Sequence, residues 1–313
     1  MRVLIIDSLH PIVKEKLSRY FSVEMNLFPS PEELAAVISK FEILVMRVDP
    51  TIDGAILETA ENLKIIGVGA AGLNHIDLEY ARRKGIKVIN VPGGNHESVA
   101  ELTIGRIIDI LRRVPQGNHD VKEGGIWDKY RYMGNELKGK TLGLVALGKI
   151  GGRVAELANC FKMRVLAYDP FISHQEAKDR GVRLVSLEEL LQSSNIVSLH
   201  APLTKDTYHL INEQTLGRMR KGSYLLNMAR GELVDEKALY EALKSGWLAG
   251  AGADVMYHEP CCESPLYNLE NFIITPHIGS QTHEAQERIG KRLCDKILEE
   301  TGLAKNATLG LSQ

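Results

Sequence analysis

The chain reads as an α/β protein built from two doubly wound parallel-sheet domains, and three observations carry that reading. Short apolar runs closed by turn residues recur along it, with helical patterns between them. These runs are apolar at nearly every position, as strands are when helices cover both faces of a parallel sheet. A glycine-rich turn opens only after residue 140 of 313, so a sizeable domain folds ahead of it.

Ahead of that turn the runs fall at residues 3–6, 23–27, 43–46, 64–68 and 87–90. Beyond it they fall at 164–168, 196–199, 224–227, 249–254 and 273–275. The joint between the two series is expected at Gly93-Gly-Asn-His-Glu-Ser-Val-Ala-Glu101. There Ser98 and Glu101 have the spacing of a capping box, ahead of helically spaced Val99, Leu102, Ile107, Ile108 and Leu111. The stretch 115–140, with Trp127, Tyr130 and Tyr132, has no clean period and is expected to be an exposed arm or a subunit contact. A last helix near 282–301 returns the chain to the first domain, and 304–313 is expected to fray. The expected domains are therefore 1–95 with 286–313, and 96–285.

Composition excludes several classes of function. With 44% hydrophobic and 25% charged residues the chain can bury a real core. A net charge of −2 gives no footing to nucleic acid or an anionic membrane. Cys160, Cys261, Cys262 and Cys294 include no CxxC pair, so free thiols in the cytoplasm are expected, not a disulfide framework or a zinc site. The first apolar run meets Asp7 too early for a signal peptide, and no run is long enough to span a membrane.

The mid-chain turn is Thr141-Leu-Gly-Leu-Val-Ala-Leu-Gly-Lys-Ile-Gly-Gly152, followed by the next strand, Arg164-Val-Leu-Ala-Tyr-Asp-Pro170. A strand turning through glycines into a helix lets the backbone approach a pyrophosphate and points the positive end of the helix at it. Asp169 lies 18 residues beyond Gly151, close to the ~20 at which an acid accepts from a ribose diol. Ala146 stands where the first glycine of that fingerprint belongs. Gly67-Val-Gly-Ala-Ala-Gly72 matches the glycine pattern more literally, but no acid stands at the following strand tip. Two readings stay open for it: a nest of N–H groups that cradles a carboxylate, or a tight strand-to-helix turn. Tyr240 and Lys244 have the YxxxK spacing of short-chain dehydrogenases, yet Leu239, Ala242 and Leu243 around them describe the buried stripe of a helix.

Three late segments each place a polar residue at the end of an apolar strand, where open α/β sheets hold ligands. Arg230 offers a fork suited to a carboxylate, Glu259 a carboxylate, and His277 an imidazole. Alone, each is more often structural than catalytic. Together they can bind a 2-keto acid, move a proton, and keep the imidazole oriented and basic.

At these residues the chain resembles the D-isomer-specific 2-hydroxyacid dehydrogenases, and within them the phosphoglycerate dehydrogenase branch. Leu191-Gln-Ser-Ser-Asn-Ile-Val-Ser-Leu-His200-Ala-Pro202 with Thr207 and Asn212 matches one family signature. Met219-Arg-Lys-Gly-Ser-Tyr-Leu-Leu-Asn-Met-Ala-Arg230-Gly-Glu-Leu-Val-Asp235 matches another, and the approach Gly134-Asn-Glu-Leu-Lys-Gly-Lys-Thr-Leu-Gly143 is typical of the branch. The resemblance implies a flavodoxin-like substrate domain and a Rossmann NAD-binding domain flanking a cleft, in a homodimer joined through the latter. It implies Arg230, Glu259 and His277 as the catalytic set, with His277 protonating the carbonyl oxygen as hydride reaches the carbon. NAD falls to Gly148, Lys149, Ile150, Gly151, Asp169, Ala201, Pro202, Met228, Asp254 and Gly279. The substrate falls to Ala70, Ala71, Gly72, Leu73 and Asn95, with Arg230 and with Arg47, which reads equally as an anion ligand or a solvated strand end. Val68 stands where the branch commonly carries Arg, and Val48 replaces a small hydroxyl residue. Lost charge there turns attention to glyoxylate, hydroxypyruvate or another small keto acid as the alternative substrate. An NAD(H)-sensing scaffold is the rival from another class. At 313 residues the chain is expected to lack the C-terminal regulatory domain with which longer relatives sense serine.

Overall fold

The computed structural model describes residues 1–304, so most of the expected frayed tail lies outside the described residues. The chain divides into two compact units: Met1–Asn95 with the residues from Gln281 onward, and His96–Ser280.

In the first unit five parallel strands, β1 (Arg2–Ile5), β2 (Ser22–Met25), β3 (Ile43–Met46), β4 (Ile65–Val68) and β5 (Lys87–Asn90), lie in the order β2-β1-β3-β4-β5. Between them run α1 (Ile12–Leu17), α2 (Pro31–Val37), α3 (Gly54–Thr59) and α4 (Leu78–Arg83). Alternate strand residues feed opposite faces, which is why the runs are apolar throughout. Leu4, Leu44 and Ile66 join Leu34, Ile38 and Leu57 in one core. Val3, Ile5, Ile43, Val45 and Ile65 join Val13, Leu17, Leu293 and Ile297 in the other. The last two belong to the final helix, His283–Glu300, whose N-cap Thr282 accepts from the Ala285 N–H.

In the second unit seven parallel strands, β6 (Thr141–Val145), β7 (Arg164–Tyr168), β8 (Arg183–Leu184), β9 (Ile196–Leu199), β10 (Tyr224–Asn227), β11 (Gly250–Ala253) and β12 (Phe272–Ile274), take the order β12-β11-β10-β9-β6-β7-β8. The helices are α5 (His96–Arg112), α6 (Val114–Lys122), α7 (Lys149–Cys160), α8 (His174–Asp179), α9 (Leu187–Ser193), α10 (Glu213–Arg218) and α11 (Glu236–Lys244). Leu142, Leu144 and Val165 pack with α5 and α7 through Ile107, Leu111, Val154 and Ala158. Val145, Val197 and Leu225 pack on the other face with Leu190, Leu216, Leu239 and Leu243.

The structure revises some of these readings and adds to others. Helix α5 starts at His96, two residues before Ser98, so Ser98 is a buried residue of the first turn and does not stand ahead of the helix. Within 115–140, α6 and a short 3-10 turn at Lys129–Tyr132 do form, but neither buries a residue. Trp127, Tyr130 and Met133 are 88%, 75% and 84% exposed, so an apolar strip faces solvent. Strand β8 escaped notice because two residues carry no period. After Gly67–Gly72 no helix starts until Leu78, which rules out the strand-to-helix turn at that loop. Tyr240 and Lys244 lie on α11 with the lysine over the ring at 5.3 Å, above buried Leu239 and Leu243. Among the described residues no helix is long and apolar enough to cross a membrane.

Candidate active site

The second unit has its topological switch between β6 and β9, since β7 and β8 lie to one side of β6 and β9 to β12 to the other. Ligands of open α/β sheets sit at such a point, beyond the carboxyl ends of the strands. Here β6 ends in Ala146-Leu147-Gly148 and α7 starts at Lys149, with Gly148 as N-cap and no side chain capping the first turn. A Cβ built on Gly148 meets nothing within 4 Å. Isoleucine 150 packs at the margin of the core beneath this turn.

The turn is braced from two sides. The Leu147 N–H donates to Asp169 Oδ2 at 2.8 Å, and Arg180 Nη1 donates to the Leu147 carbonyl at 2.5 Å. Asp169 Oδ1 accepts from the Phe171 N–H at 2.9 Å. A carboxylate has about four acceptor sites, so Asp169 keeps capacity for a diol. A Cβ on Gly151 would overlap the Ala146 carbonyl oxygen, so this glycine is required. Ala146 itself has φ +75°, the left-handed region that the missing glycine would enter freely. Open N–H groups at a helix start, an unobstructed glycine and an acid at the next strand tip fit the pyrophosphate and ribose of a dinucleotide.

At the tip of β9, Ser198 Oγ and His200 Nε2 lie 3.0 Å apart. Burial pushes the His200 imidazole down to about 4, so it is neutral at neutral pH. Ala201 beyond it is buried, and the Pro202 carbonyl accepts from Thr207 Oγ1 at 2.7 Å. Met228 is buried in the core that the sheet forms with α5 and α7.

Beyond β10 the chain turns through Met228-Ala-Arg230, and buried Asn227 clasps that turn. Its Nδ2 donates to the Arg230 carbonyl at 2.8 Å and its Oδ1 accepts from the Ala229 N–H at 3.2 Å. Arg230 Nη1 donates to the Ala229 carbonyl at 2.6 Å. Beyond β11, Glu259 Oε1 accepts from the Met256 N–H at 2.9 Å, and Oε2 stands 2.6 Å from His277 Nδ1. Burial pushes the Glu259 carboxyl up. The hydrogen bond and charge of His277, the Met256 N–H and the charge of Arg230 outweigh it and hold Glu259 below its ordinary value. An ionised carboxylate only accepts, so Nδ1 carries a proton toward Glu259. Nε2 then becomes the nitrogen that can exchange one with a ligand. Among the described residues nothing hydrogen-bonds that Nε2.

His277 sits at φ +52° in a turn fixed by Asp254. Asp254 Oδ1 accepts from Thr275 Oγ1 at 2.7 Å and from the Ile278 N–H at 2.9 Å, while Oδ2 accepts from the Gly279 N–H at 2.7 Å. The three expected catalytic residues thus gather at the ends of β10, β11 and β12. Asp254 and Gly279, expected to meet the cofactor, are tied into the His277 turn.

In the first unit the residues expected to meet substrate lie at the ends of β3 and β4. The carbonyls of Ala70, Ala71 and Leu73 accept from the Val91 N–H, Asn90 Nδ2 and the Ile76 N–H at 3.0, 2.7 and 3.0 Å. Their N–H groups, with that of Gly72, donate no hydrogen bond among the described residues. Asn95 ends the turn before α5. Arg47 follows β3, where burial lowers its pKa and the charges of Asp7 and Asp49 oppose that. Val68 is fully buried, and Val48 is exposed. Sequence reasoning missed Asp7, whose Oδ2 accepts the N–H groups of Arg47, Val48 and Asp49 at 3.0, 2.8 and 3.3 Å. It also missed the Asn227 clasp and His75, whose Nε2 is buried without a partner. The only signal for Asp7 was an acid placed directly at the end of an apolar run.

Residues 104–279 match the family model described as D-isomer specific 2-hydroxyacid dehydrogenase, NAD binding domain. The chain is 40% identical over 303 residues to the D-3-phosphoglycerate dehydrogenase of Archaeoglobus fulgidus, covering 95% of this chain and 57% of that one. It is 42% identical over 275 residues to the hydroxypyruvate reductase of Thermotoga maritima, covering 87% and 89%. The structure superposes on D-lactate dehydrogenase from Aquifex aeolicus, complexed with NAD and lactic acid, with a TM-score of 0.83 and 32% identity, covering 97% and 96%. The chain therefore spans little more than half the length of the phosphoglycerate dehydrogenases it matches. With its two parallel-sheet units and its matched NAD-binding region, the chain belongs to the D-isomer-specific 2-hydroxyacid dehydrogenases.

Proposed function

We propose that this chain is an NAD-dependent dehydrogenase of D-2-hydroxy acids, with D-3-phosphoglycerate as the first substrate to try. The observation that carries the reading is the 2.6 Å contact between His277 Nδ1 and Glu259, within reach of the charge of Arg230. Gly148 to Gly151 and Asp169, with Ala201, Pro202, Met228, Asp254 and Gly279, would hold NAD(H), which when bound would supply or accept the hydride. Arg230 binds the keto acid and polarises its carbonyl. His277 delivers a proton from Nε2 to the carbonyl oxygen in reduction and removes it in oxidation. Glu259 fixes the tautomer and stabilises the imidazolium. The N–H groups of Ala70 to Leu73 take the substrate carboxylate, assisted by Asn95, and Arg47 takes an anionic group. Asp169 favours NAD, because a carboxylate repels a 2′-phosphate.

A second reading, reduction of hydroxypyruvate or glyoxylate, is favoured by buried, apolar Val68. Comparing kcat/KM for 3-phosphohydroxypyruvate, hydroxypyruvate and glyoxylate with NADH decides between them. The first reading expects a clear preference for the phosphorylated compound, and parity would hand the case to the second. NADH binding with no turnover of any keto acid would point instead to a sensing scaffold.

The exposed strip of Trp127, Tyr130 and Met133 suits a second copy of the chain, in a homodimer joined through the NAD-binding unit. Light scattering should return twice the chain mass, and a monomer at micromolar concentration would remove this proposal. The four free thiols suit a reducing compartment, the cytoplasm.

A further inference from the structure

The cluster around Arg47 holds a group that the proposed reaction does not use. His75 lies just past the Ala70–Leu73 loop, and its carbonyl accepts from the Ile52 N–H at 2.7 Å, which fixes the backbone there. Its Nε2 is shielded from solvent and has no hydrogen-bond partner. A buried polar atom left in that state is costly and calls for an explanation. Two carboxylates, Asp49 and Asp7, act on His75, and the same two act on Arg47. The neighbouring acids Asp53 and Asp77 are engaged elsewhere, as N-caps accepting from the Ile56 and Tyr80 N–H groups at 3.0 and 2.9 Å.

We propose that Arg47 and His75 form a proton-linked anion subsite: when an anionic group of the substrate engages Arg47, His75 takes up a proton at Nε2 and replaces Arg47 as the counter-ion of Asp7 and Asp49. This rests on the reading of Arg47 as a ligand for a substrate anion. The charge arithmetic drives it. With His75 neutral, the two carboxylates and one guanidinium sum to −1. An added anion leaves the two carboxylates competing with it for one positive charge. The imidazole is the nearby group able to supply another near neutral pH. Burial holds the free imidazole below its ordinary value, against the pull of Asp49 and Asp7, so it enters binding unprotonated.

The test uses His277→Gln protein loaded with NAD, which removes turnover and the proton of His277. It is titrated with D-3-phosphoglycerate near pH 7.5 by calorimetry in buffers of different ionisation enthalpy. The proposal expects this protein to take up more protons than His277→Gln/His75→Gln, the difference approaching one per site. Equal uptake in the two proteins overturns it. Uptake that persists with D-glycerate assigns the anion to the carboxylate, and uptake confined to the phosphorylated compound assigns it to the phosphate. Arg47→Ala added to His277→Gln separates the two layers: unchanged affinity would sink the role of Arg47 itself. In His277→Gln protein with ¹⁵N-labelled histidine, the His75 ring should move to imidazolium shifts on binding. A static ring there also refutes the proposal, without relying on a His75 variant that folds.

Discussion

The two units solve the same topological problem and fill it differently. In each, the first strand sends one neighbour to either side, β2 and β3 around β1, and β7 and β9 around β6. The crevice at that point is where such sheets bind ligands. In the first unit the residue after the leading strand run is Asp7, and its own carboxylate takes the three N–H groups at the end of β3. In the second, Ala146-Leu147-Gly148 leaves the N-terminus of α7 uncapped by any side chain. The first unit meets the N–H groups at the end of β3 with its own carboxylate, whereas the second leaves those at the start of α7 open. The difference lies in a few residues at one strand end, not in the fold.

If the second unit is the reacting half, its largest sensitivity should be at His277. His277→Ala should lower kcat by about 10³-fold, the order that a positioned acid–base group supplies. NADH affinity, read by fluorescence titration, should stay near that of the parent because the glycine turn is untouched. Wild-type turnover would break the assignment, and lost NADH binding would show that the turn of His277 also serves the cofactor.

The same contrast measures what the sequence could disclose. Strands covered on both faces announce themselves as apolar runs, so both sheets were legible, and β8 with two residues was not. The start of α5 was misplaced because Ser98 and Glu101 mimic a cap by spacing alone, whereas the helix already begins at His96. Arg230, Glu259 and His277 could be named from strand ends and family motifs. Their contact could not, because Glu259 and His277 stand 18 positions apart and follow different strands. Asp7 and His75 were invisible for the same reason: each is a single residue whose role depends on N–H groups or charges some 40 or 26 positions away.

The carboxylate that closes the end of β3 should show its effect in stability. Asp7→Asn keeps the shape but sets an amide among N–H donors that need an acceptor. Losing a charge-assisted set of this kind costs about 2–3 kcal/mol. Denaturant unfolding should register the loss, and a change below about 0.5 kcal/mol, the scale of an inert surface substitution, would mean that Asp7 does not hold the end of β3 together.

The smallest effect should run the other way, at the open crevice. Ala146 holds φ +75° where its methyl crowds the backbone, and for an L-residue that conformation costs about 1 kcal/mol. Glycine enters it without that cost but gives up some entropy in the unfolded chain, which offsets part of the gain. Ala146→Gly should therefore stabilise the second unit by about 0.5 kcal/mol, read as a small rise in Tm. The Leu147 N–H to Asp169 bond needs the same turn geometry, so NADH affinity should be equal or slightly tighter. A lower Tm with weaker NADH binding would show that the methyl does useful packing at this turn. Partly buried Ala146 does touch the core formed by Val145 and Leu199. The sign of the change therefore tells whether the turn tolerates its missing glycine or depends on the alanine that replaced it.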